Sequence, residues 1–273
     1  MRLCPILCAI PLALLTQPAM AQCGIGKALE KTEWSIGYNA GIPLGEMGTY
    51  ANTAHGFALR GFYRVPASHG RVNVGLEVIT GSYASFTRTQ NFGMNGVETP
   101  TDVTYNSNVT TTSAVFRYNY LRTKTLNVFA AVKGGFAGFN SKIMIEDPND
   151  PDGCEPLDKK NLISDYTWTG GIQTGANLDM QHFFKKLPAQ TLLLETYVGY
   201  LQGGNVDYIN VKNTTSDNHT SHNHAAATPD GGRSLDVRFI NLQTGAQHSH
   251  EVARVYNSPV QFLECGLSLV VRF

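Results

Sequence analysis

After its first two dozen residues, the sequence has no apolar run approaching the ~20 residues that a membrane helix requires. Charge is scarce. Asp, Glu, Lys and Arg make up 15% of the 273 residues, with 21 basic against 21 acidic side chains. That balance excludes a broad pull towards nucleic acid, so no nucleic-acid partner is expected. Five cysteines are present, and only Cys23, Cys154 and Cys265 follow the first apolar stretch. Three widely spaced thiols exclude a disulfide framework. A sustained helical period is missing as well. What the chain does have is glycine (27), tyrosine (12) and repeated two-residue alternation.

The N-terminus predicts export. Arg2 precedes an apolar stretch from Leu3 to Leu15, followed by the small-residue motif Ala19-Met20-Ala21. This pattern predicts a signal peptide over residues 1–21, cleaved after Ala21. Gln22 before Cys23 argues against lipoprotein processing. Residues 22–273 are then a single domain working outside the cytoplasm, and no cofactor is implied.

Eight segments alternate with period two. They are Glu33–Gly41, His55–Val65, Arg71–Gly81, Thr110–Leu121, Thr125–Phe139, Asp165–Asp179, Gln190–Leu201 and Leu263–Phe273. In Arg71–Gly81, for example, Val72, Val74, Leu76 and Val78 oppose Asn73, Gly75 and Glu77. The connections alternate in length. Short turns are expected at Val65–Gly70, Arg122–Thr125 and Gln181–Ala189. Long loops are expected at Ile42–Thr53, Ala84–Asn108, Asn140–Ile163 and Gly204–Asn257, and within the last of these "SLDVRFINL" can form a hairpin. Aromatic residues sit near the segment ends: Trp34, Tyr63, Tyr118, Tyr120, Tyr166, Trp168, Tyr200 and Phe273.

Strands of about ten residues, even in number, apolar on one face and joined alternately by short and long links predict an all-β fold. The expected form is an up-and-down antiparallel transmembrane barrel of eight strands. Lipid covers the apolar face, and the first strand pairs with the last, since hydrocarbon cannot satisfy an open edge. A secreted β-sandwich also alternates, but it requires neither the aromatic girdles nor the regular long–short links.

On these features the chain resembles the small eight-stranded outer-membrane β-barrels of Gram-negative bacteria, the OmpA/OmpX-like group. The closing strand resembles that group's assembly signal, with Glu264, Gly266, Leu269, Val271 and the aromatic Phe273. The resemblance implies an outer-membrane location and recognition by the barrel-assembly machinery.

Alternation turns Arg60, Arg64, Glu77, Arg117, Lys133, Asp179, Glu195, Glu264 and Arg272 inward. An eight-stranded barrel is just wide enough for side chains to fill it. Mixed signs predict a plug of paired charges, whereas an ion path favours rings of one sign. In the last long loop His219, His222, His224, His248 and His250 are candidate metal ligands, weighed against a solvated polar loop. The acidic run Glu146–Asp158 is weighed the same way against a calcium site. His219-Thr220-Ser221 resembles the His-x-Ser element of lipid A deacylases, but it falls in mid-loop with no positioned base. The expected role is therefore structural or surface-interacting, through an extracellular ligand or envelope partner and without catalysis. A small channel, a part of a secretion or transfer machine, and a lipid-modifying barrel enzyme are the alternatives.

Overall fold

The computed structural model describes residues 31–94, 97–145, 158–182, 191–210, 232–240 and 247–273. The strands are β1 (Thr32–Pro43), β2 (Ala54–Arg64), β3 (Val72–Met94), β4 (Val97–Arg122) and β5 (Leu126–Ile145). They continue with β6 (Asp158–Asp179), β7 (Leu192–Ile209), β8 (Arg233–Ile240) and β9 (Gln247–Arg272). Every pairing is antiparallel between neighbours, and β1 also pairs with β9 from Glu33↔Arg272 to Pro43↔Phe262. Eight strands, β1 to β7 and β9, thus close a ring. β8 lies outside it, paired only to the first part of β9.

The first two short turns are built from side-chain capping. Ser68 Oγ donates to the Val65 carbonyl (2.6 Å) and accepts from Val72 N (2.9 Å), while His69 and Gly70 take positive φ (52° and 73°). In the second turn Thr123 Oγ1 spans both backbone groups of Leu126 at 3.0 Å. The third begins as a 3₁₀ turn at Met180–His182, and the rest of the expected turn, 183–189, lies outside the described residues.

The outer face is the reverse of a soluble protein's. Ile36, Phe57, Leu59, Leu76, Phe136, Trp168 and Ile172 are all more than half exposed. An apolar band continuous around a closed barrel has only hydrocarbon as its compatible solvent. Trp34, Tyr63, Tyr118 and Tyr120 edge it near the short turns, and Tyr166 and Trp168 edge it on the other side. Among the described residues no helix is long and apolar enough to cross a membrane; the strands do the crossing.

One of the expected loops is largely strand, and a second is strand at both of its described ends. Ala84–Asn108 is an extension of β3 and β4 paired down to Met94↔Val97, and Asn140–Ile163 is occupied by β5 to Ile145 and β6 from Asp158. Similarly, β7 and β9 pair beyond the band, from Asn205↔Pro259 to Ile209↔Val255. Strands of 18 to 26 residues replace the expected ten or so in β3 to β7 and β9. Above the band water faces the strands, so pairing continues without an apolar stripe. Polar cross-strand contacts suffice, as in Thr87–Thr104 (2.8 Å) and Ser85–Asn106 (2.9 Å). A bulge between Ser82 and Ala84 shifts the alternation of β3, bringing Ala84 inside. The expected signal segment 1–21, Cys23 and Cys154 lie outside the described residues.

Leu269 is 48% exposed on the band and is flanked by Ile36 and Leu194. Leu269→Asp should lower the yield of the heat-modifiable folded species, since a charge on the lipid face costs up to about 2–4 kcal/mol for basic residues at the midplane, less for acidic ones and less towards the interface. Wild-type amounts of boiling-sensitive protein would show that this face is not in lipid.

Candidate functional site: the filled lumen

Three layers occupy the barrel interior. The middle one is ionic. Arg60 (β2) places Nε 2.5 Å from Glu77 (β3) and Nη1 2.6 Å from Glu195 (β7). Arg117 (β4) reaches the other Glu195 oxygen at 2.9 Å. Lys133 (β5) donates to Glu77 (2.7 Å) and to Glu264 (β9). Three cations and three carboxylates from six strands form one connected, neutral chain running Arg117–Glu195–Arg60–Glu77–Lys133–Glu264, and all six side chains are buried. Desolvating such charges costs several kcal/mol per ion, and only mutual pairing offsets it.

Aromatic rings hold the guanidinium groups flat. Arg117 lies between Phe62 and Phe129, 4.0 Å from each ring centroid, and Arg60 stacks 3.8 Å from Tyr197. Each ring in turn rests over the glycine registered opposite it: Phe62 on Gly75, Phe129 on Gly175 and Tyr197 on Gly266. A Cβ at Gly266 would stand 2.2 Å from the Tyr197 ring. Gly266 therefore has a packing role in the lumen, whatever it contributes to assembly. Tyr197 also donates to Asn39 Oδ1 (2.7 Å), which ties in β1.

Near the short turns a second group is separate from the first. Glu33 accepts from Arg272 (2.9 Å) and Asn73 (3.3 Å) and faces Arg64 at 3.8 Å, while Arg64 also donates to the Phe273 carbonyl. Asp179 accepts from the Gln181 amide (2.9 Å). Thus the nine charges expected in one network divide: Arg64, Arg272 and Asp179 belong to the rim. Strand ends are where the lumen opens to water, so long arginine stems reach outward there.

The third layer corrects the expectation of a polar interior. Towards the long-loop end the lumen is apolar, packed with Tyr83, Val109, Phe139, Leu201, Val206, Tyr208, Tyr256 and Phe262. A one-turn helix, α1 (Met47–Tyr50), folds in from the β1–β2 connection. It buries Met47 completely and stacks Tyr50 on Tyr256 with centroids 3.9 Å apart. Gly45 at φ 59° and the Leu44 N to Gln261 O bond (2.9 Å) turn the chain inward.

Glu33, Phe129 and Tyr197 are lumen residues that the sequence reading did not single out. Simple alternation carried the signal for each. Glu33 precedes Ser35 by two, Phe129 precedes Lys133 by four, and Tyr197 follows Glu195 by two.

His219, His222 and His224 lie outside the described residues, as do Glu146–Leu157. His248 and His250 stand on β9 opposite Phe239 and Val237 of β8. Among the described residues no three His, Cys, Asp or Glu side chains converge as metal ligands.

No protein-family model and no curated protein matches the sequence. Solved structures do. The chain is similar to small outer-membrane barrels. Neisserial surface protein A aligns over 89% of this chain and 97% of its own, at 9% identity and TM-score 0.39. Ail, the attachment invasion locus protein of Yersinia pestis, aligns over 89% and 97%, at 11% identity and 0.37. A major outer membrane protein from Thermus thermophilus aligns over 89% and 99%, at 12% identity and 0.39. At such scores the architecture rests on this chain's own strand pairing and lipid-facing band, which are those of an outer-membrane-type β-barrel.

Lys133→Met should destabilise the folded barrel by roughly 3–5 kcal/mol, because it strands Glu264 and removes half of Glu77's pairing. Adding Glu264→Gln should restore part of that loss. Urea midpoints in detergent measure both. Equal midpoints for wild type and Lys133→Met would mean the ionic chain does not hold the barrel.

Proposed function

We propose that this protein is an outer-membrane barrel with a structural or surface-interaction role, closed to solute flow and non-catalytic, whose activity lies at its long-loop end. The observation that carries the reading is the filled lumen, ionic in the middle and apolar above. An eight-stranded ring leaves no continuous bore once Met47, Phe139, Leu201 and Phe262 meet across it.

The long-loop end supplies the surface. β3 to β6 rise beyond the apolar band as one wall, and Leu235 of β8 packs with Phe86, Val103, Tyr105, Ile143 and Leu162 of that wall. Phe86 and Tyr105 stack with centroids 4.9 Å apart. A loop platform braced by its own small core is pre-organised to bind a partner at low ordering cost. Barrel-assembly recognition of the closing strand and removal of residues 1–21 are parts of the same reading.

Two measurements test it. Purified protein in planar bilayers should show little or no steady conductance, and a large reproducible open-channel current would overturn the closed lumen. On intact cells a membrane-impermeant thiol reagent should label Thr87→Cys in the β3–β4 extension and spare Ser68→Cys in the first short turn. Labelling of Ser68→Cys alone would invert the orientation.

A further inference from the structure

The six charges of the middle layer alternate in sign, so the two ends of the ionic chain differ. Glu77 meets Arg60 and Lys133, and Glu195 meets Arg60 and Arg117. Glu264, at one end, meets Lys133 alone. It is buried all the same. A carboxylate can accept about four hydrogen bonds, and burial makes unused capacity costly.

Beside Glu264, where the ionic layer gives way to the apolar filling, lies a cavity of ≈ 20 Å³. Glu264, Asn39 and Thr111 line it with Ala54, Ile79 and Phe262, and Gly41, Gly56 and Gly81 leave it room. Asn39 Oδ1 already accepts from Tyr197 (2.7 Å). Thr111 is 5% exposed, and its Oγ1 has no hydrogen-bond partner among the described residues. A buried hydroxyl in that state is costly unless a ligand or water completes it. Two polar groups from non-adjacent strands, β4 and β9, thus share one small space: an acceptor with capacity to spare and an unpaired hydroxyl.

Roughly 10–15 Å³ of such space holds one water, which needs two to four polar partners. We infer that the cavity binds a single structural water, which donates to the Glu264 carboxylate and is shared with Thr111 Oγ1. A small monovalent cation would also fit beside a carboxylate. The ionic chain, however, already balances three cations against three carboxylates. A bare cation would leave one uncompensated charge in the lumen, whereas water completes both groups and adds none. The assignment rests on the closed lumen proposed above, since in an open bore Thr111 would meet bulk water.

The test is a high-resolution crystal structure of the folded barrel, joined to urea midpoints in detergent. The wild type should show one solvent peak within hydrogen-bond distance of both Glu264 and Thr111. Thr111→Ser keeps the hydroxyl and should keep the peak. Thr111→Val keeps the shape without the hydroxyl and should lose it. The Thr111→Val midpoint should fall, because the water loses a partner. In a dry cavity, replacing an unpaired buried hydroxyl by a methyl group would leave the midpoint unchanged or raise it, and either result would overturn the site. A wild-type midpoint that rises in sodium chloride but not in choline chloride of equal ionic strength would make this an ion site instead. An empty cavity in a barrel that passes no current overturns the water alone. A steady current with bulk-like solvent around Thr111 overturns the closed lumen and the water together.

Discussion

Hydrocarbon offers no hydrogen bonds, so every backbone N–H and C=O within it must be paired inside the protein. A sheet meets that demand only by closing, and here the closure is the β1–β9 pairing, which joins the described ends of the chain. With eight strands in the ring, the enclosed space is about as wide as two facing side chains. What fills that space, and what can pass through it, follow from the demand for closure.

A narrow bore sealed on all sides treats charge harshly. Arg60, Arg117 and Lys133 are tolerated inside because Glu77, Glu195 and Glu264 meet them from other strands, and because the rings of Phe62, Phe129 and Tyr197 replace water on the guanidinium faces. The glycines beneath those rings complete the arrangement, since a side chain there would occupy the space of the ring itself. The ionic chain therefore links the strands through the lumen as the backbone ladder links them around the wall. Above it the residues around Met47 fill the outer half by apolar packing, which needs no pairing and can accept the inward-turned α1.

The two ends of the barrel differ for related reasons. At the long-loop end strands outlast the membrane and brace one another through Phe86, Tyr105 and Leu235, giving a rigid surface away from lipid. At the short-turn end the described chain reverses tightly, and the exposed charges among its described residues, Lys31, Arg71, Arg122 and Lys124, are cations. Net neutrality of the whole sequence conceals this polarity.

How much of this was legible in the residues depends on the range of each interaction. Alternation is local, so the lipid face, the strand count of the ring, the first two short turns and the inward parity of Arg60, Glu77, Arg117, Lys133, Glu195 and Glu264 could all be read directly, and the same parity carries Glu33 and Tyr197. Strand length could not be read beyond the membrane, because in water the apolar stripe that marks a strand is no longer required. The bulge at Ser82–Ala84 reverses parity without any residue that announces it. Which carboxylate meets which cation, and the separation of Arg64, Arg272 and Asp179 from the central ionic chain, depend on stagger around the ring. So does the choice of apolar over polar filling in the outer lumen, because each of these contacts joins residues far apart in sequence that only closure brings within reach.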